Sequence, residues 1–146
     1  MKRMAKADTS TPESQQQAFT IQQTIDLGLK HHTAGDFPKA EGIYQQILQA
    51  EPKQPVVLHL LGVMAYQTGK NDIAVDLIGK ALAIEPKFAE AHSNLGNALQ
   101  ELGKLDEAVA SYRKALAVKP DFADAHNNLG NALVKIGSLK EAELSY

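Results

Sequence analysis

The chain has 146 residues, with hydrophobic residues at 44%, charged residues at 22% and a formal net charge of −2. That balance is that of a folded, water-facing chain, and it lacks the concentrated basic field of a dedicated nucleic-acid binder. Cysteine and tryptophan are both absent, which excludes disulfides, thiolate metal sites and a cysteine nucleophile, and leaves few platforms for base stacking.

Residues 1–20 are polar, with Thr11-Pro12 interrupting any helix, so they read as a solvated tail or a short capping helix. They carry no apolar stretch of the secretory type, and no run approaches a membrane span, so the expected location is cytoplasmic with no membrane partner. From Ile21 onward the chain repeats itself. Pro52, Pro86 and Pro120 recur at a step of 34, and so do Gly28, Gly62, Gly96 and Gly130. Gly35, Gly69, Gly103 and Gly137 form a second glycine column, and Ala40, Ala74, Ala108 and Ala142 an alanine column. Tyr44, Ile78, Tyr112 and Tyr146 place a bulky residue at the end of each set. The stretches beginning at Ala89 and Ala123 agree at 15 of 24 places. The predicted units are 21–54, 55–88, 89–122 and a partial fourth at 123–146.

Each unit reads as two helices. Ala91, Leu95, Ala98, Leu99 and Leu102 recur at three- and four-residue steps, the pattern of an amphipathic helix. Gly103 is placed to end it with a left-handed residue, and Asp106 and Glu107 put negative charge at the start of the next helix. Pro120 then opens the following unit, and Pro38 fits the first turn of its own helix. Gly96 is expected opposite Ala108 across the hairpin. By the same register Gly137 should turn the fourth unit, leaving Leu133, Ile136, Leu139 and Ala142 in an inter-helix core whose closing helix is cut short. A fragment with an uncapped carboxyl end, and weak self-association through it, are the matching expectations.

A 34-residue helix–turn–helix with L-G, a later alanine, an aromatic and a closing proline resembles the tetratricopeptide repeat. The resemblance implies an all-α solenoid of antiparallel helix pairs, wound as a right-handed superhelix, with the first helix of each pair on the concave side. The expected function is a protein-interaction module that holds an extended peptide in that groove. Asn94 and Asn97 share a helical face, and Asn128 and Asn131 repeat the pair one unit on. A carboxamide both donates and accepts, so such a ladder can bind peptide backbone with little regard for sequence. Ser93, Asn127, His59 and Tyr66 complete the candidate peptide-binding set. A scaffold or oligomerisation arm, in which these asparagines bond only to neighbouring helices, is the alternative. The phrases HSNLGNAL and HNNLGNAL resemble the bacterial repeat arms of O-linked N-acetylglucosaminyltransferases, which implies a parent glycosyltransferase whose catalytic domain is not in this stretch. No catalytic motif, cofactor site or metal site is expected. His31 and His32 are adjacent on a helix and diverge, and His92 and His126 read as packing residues. A basic carboxylate clamp is disfavoured, because Lys135 is the sole cation on the first helices of the last two units.

Overall fold

A computed structural model describes residues 21–145, so the expectations for residues 1–20 and for Tyr146 lie outside the described residues. Those described form helices and turns without a strand. They divide into two compact units, one ending at Pro52 and one beginning at Lys53.

In the first unit a helix over residues 21–33 (α1) pairs with Phe37–Ala50 (α2), whose second residue is Pro38. Proline is harmless there because the first-turn N–H has no intrahelical acceptor. Tyr44 and Ala40 are fully buried on α2. A side chain added at Gly28 would collide with the Tyr44 ring. The hairpin therefore closes by seating a ring on a bare stretch of helix.

The second unit stacks two further pairs and one long helix. Pro55–Gln67 (α3) pairs with Asn71–Ile84 (α4), and Ala89–Glu101 (α5) with Leu105–Val118 (α6). The same seating recurs in each pair: a Cβ at Gly62 would stand 2.5 Å from Ile78, and one at Gly96 would stand 2.5 Å from the Tyr112 ring. The neighbour of Gly96 is thus Tyr112 rather than the expected Ala108. Ala108, itself fully buried, lies with Leu99, Val109, Tyr112 and Ala132 in the core between the third and fourth units. An alanine there lets the second helix approach without forcing the pair apart.

All three turns share one closure. Gly35, Gly69 and Gly103 have φ of 83°, 79° and 77°. At the third, the Gly103 N–H donates to the Gln100 carbonyl and the Lys104 N–H to the Leu99 carbonyl, 3.0 and 2.9 Å. Those two bonds make a Schellman motif, which satisfies carbonyls a helix end would otherwise leave open.

The fourth unit departs from the register. Ala123–Ser145 (α7) is one helix of 23 residues that runs straight through Gly137, and Gly137 has no positive φ. The expected turn at Gly137 and the buried core around Leu139 are corrected accordingly: Leu133, Leu139 and Ala142 are exposed, while Ile136 is partly buried. The physical reason is the burial at stake. The helices α4 and α6 each gain cover from their own partner and from the first helix that follows, α5 and α7, and among the described residues no helix follows α7. A glycine inside a helix costs about 1 kcal/mol against alanine, less than an unsupported turn and a short exposed helix. Gly137→Ala should therefore raise helicity and stability by up to about 1 kcal/mol, whereas Gly103→Ala should lower stability by roughly 1–2 kcal/mol. Urea unfolding of the two variants checks the contrast, and a loss at Gly137 would indicate a turn there.

Candidate functional site

The first helices of the second unit, α3, α5 and α7, line a cleft of about 400 Å³. Tyr66 contributes from α3, Asn97, Gln100 and Glu101 from α5, and Asn128, Asn131, Val134 and Lys135 from α7. The 34-residue register sets these side chains in rows, because equivalent positions on parallel helices face the same side.

Beneath the cleft runs a chain of hydrogen bonds. Asn94 Nδ2 donates to His59 Nε2 at 2.8 Å, and Asn97 Nδ2 donates to Asn94 Oδ1 at 3.3 Å. Asn128 Nδ2 donates to Asn97 Oδ1 at 3.1 Å. The Tyr112 hydroxyl reaches both Asn97 Oδ1 at 2.7 Å and Gln100 Oε1 at 2.9 Å. One hydroxyl proton serves one acceptor, so the Gln100 amide satisfies both contacts when its nitrogen faces the phenol and donates to it. The result links α3, α5, α6 and α7 through side chains alone.

The bonds sort the asparagines. Asn97 Oδ1 already accepts twice, and both atoms of the Asn94 carboxamide are engaged. Asn128 spends one N–H and keeps its oxygen. Asn131 is exposed, and its carboxamide has no partner among the described residues. Three other expected site residues sit elsewhere. Ser93 is buried on the side of α5 that packs against its neighbours, and His59 is buried behind Asn94 with its ring edge-on to Phe88 at 4.7 Å. Asn127 is exposed but about 100° round α7 from Asn128, away from the cleft. These three share one column of the repeat, one residue off the groove-facing column. Tyr66 does line the cleft. Tyr112, in contrast, was legible only as a packing residue, although its hydroxyl organises the amides.

Burial pushes the Tyr112 hydroxyl far above the ordinary tyrosine value, with Tyr66 and Glu101 adding to the effect. Tyr66 is raised by burial and then by Glu101. Both therefore stay neutral donors. Burial lowers His59 to about 4, against a smaller opposite pull from Glu90. Its neutral ring accepts from Asn94 at Nε2 and so carries its proton on Nδ1. Because the folded value lies below the unfolded 6.5, the folded state resists protonation. Stability should accordingly fall as pH drops from 6.5 towards 4, then level off. His59→Leu should flatten that part of the curve in urea melts at stepped pH.

His92 and His126 are structural. Each Nε2–H donates at 2.7 Å to the carbonyl of the turn proline six residues earlier, Pro86 and Pro120. Among the described residues no group of three or more His, Asp or Glu could hold a metal ion. No described helix is long and apolar enough to cross a membrane.

Stacked antiparallel helix pairs with a glycine-seated bulky residue and a cleft lined by the first helices define a helical-repeat protein. A TPR-repeat family model matches residues 62–103 and 96–137, together more than half of the chain. The chain belongs to the tetratricopeptide-repeat family. Solved structures agree. A mutant O-GlcNAc transferase of Thermobaculum terrenum is 33% identical over 80% of this chain, with a TM-score of 0.77, and the chain spans 22% of that protein. The first TPR domain of human RPAP3 is 25% identical, covering 86% of this chain and 97% of that one, with a TM-score of 0.76. The first TPR of Spaghetti (RPAP3), bound to an HSP90 peptide, is 24% identical over 80% of this chain and 93% of its own, with a TM-score of 0.77, and shows the shared fold. No curated protein sequence matches.

Proposed function

We propose that the chain is a protein-interaction module that holds an extended peptide in the cleft of α3, α5 and α7. The observation that carries this reading is the unspent hydrogen-bonding capacity of Asn128 and Asn131, side by side on α7 and facing the cleft. Each can accept from a peptide N–H and donate to a peptide C=O. Asn94 and Asn97 serve differently from a uniform ladder. They brace the helices and fix the orientation of Asn128, so the peptide meets amides that are already aligned. A few net bonds of roughly 0.5–1.5 kcal/mol each, less the cost of association, set dissociation constants around millimolar to high micromolar.

Titration of unstructured peptides, followed by amide shifts, tests this. Asn128→Ala with Asn131→Ala should abolish the shifts around the cleft and leave the fold intact, since both side chains lie at the edge of the core. Binding that survives both changes overturns the reading. The scaffold alternative draws support from the bonds running from His59 through Asn94 and Asn97 to Asn128, which tie three helices together without a ligand.

The finer proposal is that these repeats are the substrate-recognition arm of a glycosyltransferase-like parent, bacterial and cytoplasmic, with no activity of their own. The support is the 33% identity with the T. terrenum O-GlcNAc transferase. A glycosyltransferase domain in the same reading frame would bear it out. A frame without one, in a protein that also captures no transferase, would overturn it.

A further inference from the structure

We propose that the chain pairs with a second copy of itself through α7, in an antiparallel contact centred on Gly137 that seats each copy's Leu144 on the other's Gly130. The inference is independent of the peptide-binding reading and gives the expected self-association a definite geometry. Three hairpins cover a bare stretch of helix with a bulky side chain: Tyr44 on Gly28, Ile78 on Gly62 and Tyr112 on Gly96. Gly130 holds the same place in its repeat, yet it is exposed and a Cβ there would meet nothing within 4 Å. In each filled seat the bulky residue follows its glycine by sixteen positions, across a turn. Because α7 runs straight through Gly137, a residue that far along it lies about 24 Å from Gly130. The helix cannot fill its own seat.

The same face of α7 carries a knob. Leu144, 88% exposed, is the most open large apolar side chain among the described residues. Gly130, Gly137 and Leu144 recur at heptad spacing, which drifts by only about 20° per step, so they lie in one stripe. That stripe points away from Ala125 and Ala132, the fully buried residues of α7. Gly137 stands seven residues from the seat and seven from the knob, about 10 Å each way. A two-fold axis at Gly137 therefore brings knob to seat twice at once, which is the self-complementarity of an isologous contact. A second copy of the chain is the occupant that this spacing fits. Glycine at the centre lets the two helices approach closely, and each covers the other's Val134, which is 68% exposed. Glu141 lies on the stripe as well, facing the other copy's Val134, and the cost of desolvating it keeps the pairing weak. The contact runs for about 22 Å, so it buries less than the roughly 800 Å² per partner of a standard interface. A net charge of −2 leaves little repulsion between copies.

Sedimentation equilibrium of the full chain up to about 1 mM tests the pairing, with circular dichroism to confirm that each variant stays helical. A monomer–dimer equilibrium with a dissociation constant in the high micromolar range is expected. Leu144→Ala and Gly130→Leu should each weaken it about tenfold. The second change is the more telling, because it adds apolar surface at an exposed helical position with open space around it. A non-specific apolar patch would then associate more tightly, whereas a seat is blocked. Mixing the Gly130→Leu chain with the Leu144→Ala chain should restore pairing, since the new leucine enters the place that the other chain's Leu144 has vacated and the second seat is unchanged. Asn128→Ala with Asn131→Ala should leave the dimer as it is. A chain that stays monomeric at about 1 mM, a Gly130→Leu chain that associates more tightly, or a mixture that fails to pair overturns the proposal. A dimer that the two asparagine changes abolish assigns the contact to the cleft and overturns it too.

Discussion

Gly96→Ala should destabilise the protein by about 1–3 kcal/mol, while Gly130→Ala, one repeat further on, should stabilise it by up to about 1 kcal/mol. The two glycines occupy the same column, in the phrases SNLGNAL and NNLGNAL, and the difference arises from what faces them. A Cβ at Gly96 would stand 2.5–2.8 Å from three atoms of the Tyr112 ring. That ring is fully buried and rigid, and its hydroxyl is held by Asn97 and Gln100. It has nowhere to retreat without breaking those bonds. At Gly130 nothing stands within 4 Å, so the methyl meets open space and only the helical preference for alanine remains. Gly62→Ala should fall between the two, because its neighbour is the aliphatic Ile78, which can change rotamer. Urea unfolding of the three variants supplies the ordering. A loss of stability at Gly130 as large as at Gly96 would mean that a second helix covers Gly130 as Tyr112 covers Gly96.

The same comparison shows what the sequence makes legible. Helix starts, turn glycines and seated bulky residues all follow from columns spaced by 34, because each records a local requirement: a left-handed turn, a missing N–H, a close approach. Gly35, Gly69 and Gly103 take positive φ as their column implies. Gly137 carries the same local signal and stays helical, since a turn there would be sustained only by packing that no described helix provides. The cleft was legible to within one residue. Asn97, Asn128, Asn131 and Tyr66 line it; Asn94 shares the column of Asn128 but does not line it, its carboxamide being bonded to His59 and Asn97. Ser93, Asn127 and His59 belong to the adjoining column, and at 100° per residue that shift carries a side chain from the groove to its flank. The bonds among the amides were not legible. They depend on distances between helices, and identical asparagines at positions 94 and 128 end with different partners because α3 carries His59 and Val63 where α5 carries Ser93 and Asn97.

Tyr44 and Tyr112 offer the sharpest test of that last point, since they share a column and are both fully buried. Tyr112→Phe should cost about 1–3 kcal/mol, and Tyr44→Phe should be neutral or stabilising. The Tyr112 hydroxyl bonds Asn97 and Gln100, so its removal leaves two partly buried amides short of a partner. Burying a hydroxyl with its bonds made is close to neutral, and removing one side of the pair is what incurs the penalty. The Tyr44 hydroxyl is also cut off from solvent, and it has no hydrogen-bond partner among the described residues. Its equivalents of Asn97 and Gln100 are Leu29, which cannot accept a bond, and His32, whose ring lies edge-on 6.3 Å from that of Tyr44. Burial alone raises its ionisation above the ordinary tyrosine value, as expected for a hydroxyl removed from water. Phenylalanine keeps the ring that seats on Gly28 and deletes the desolvated oxygen. Chemical denaturation of the two single variants, of Asn97→Ala, and of Tyr112→Phe combined with Asn97→Ala gives the Tyr112–Asn97 coupling energy directly. Losses of equal size at Tyr44 and Tyr112 would show that the hydroxyls are equivalent and that the amide network beneath the cleft contributes nothing of its own.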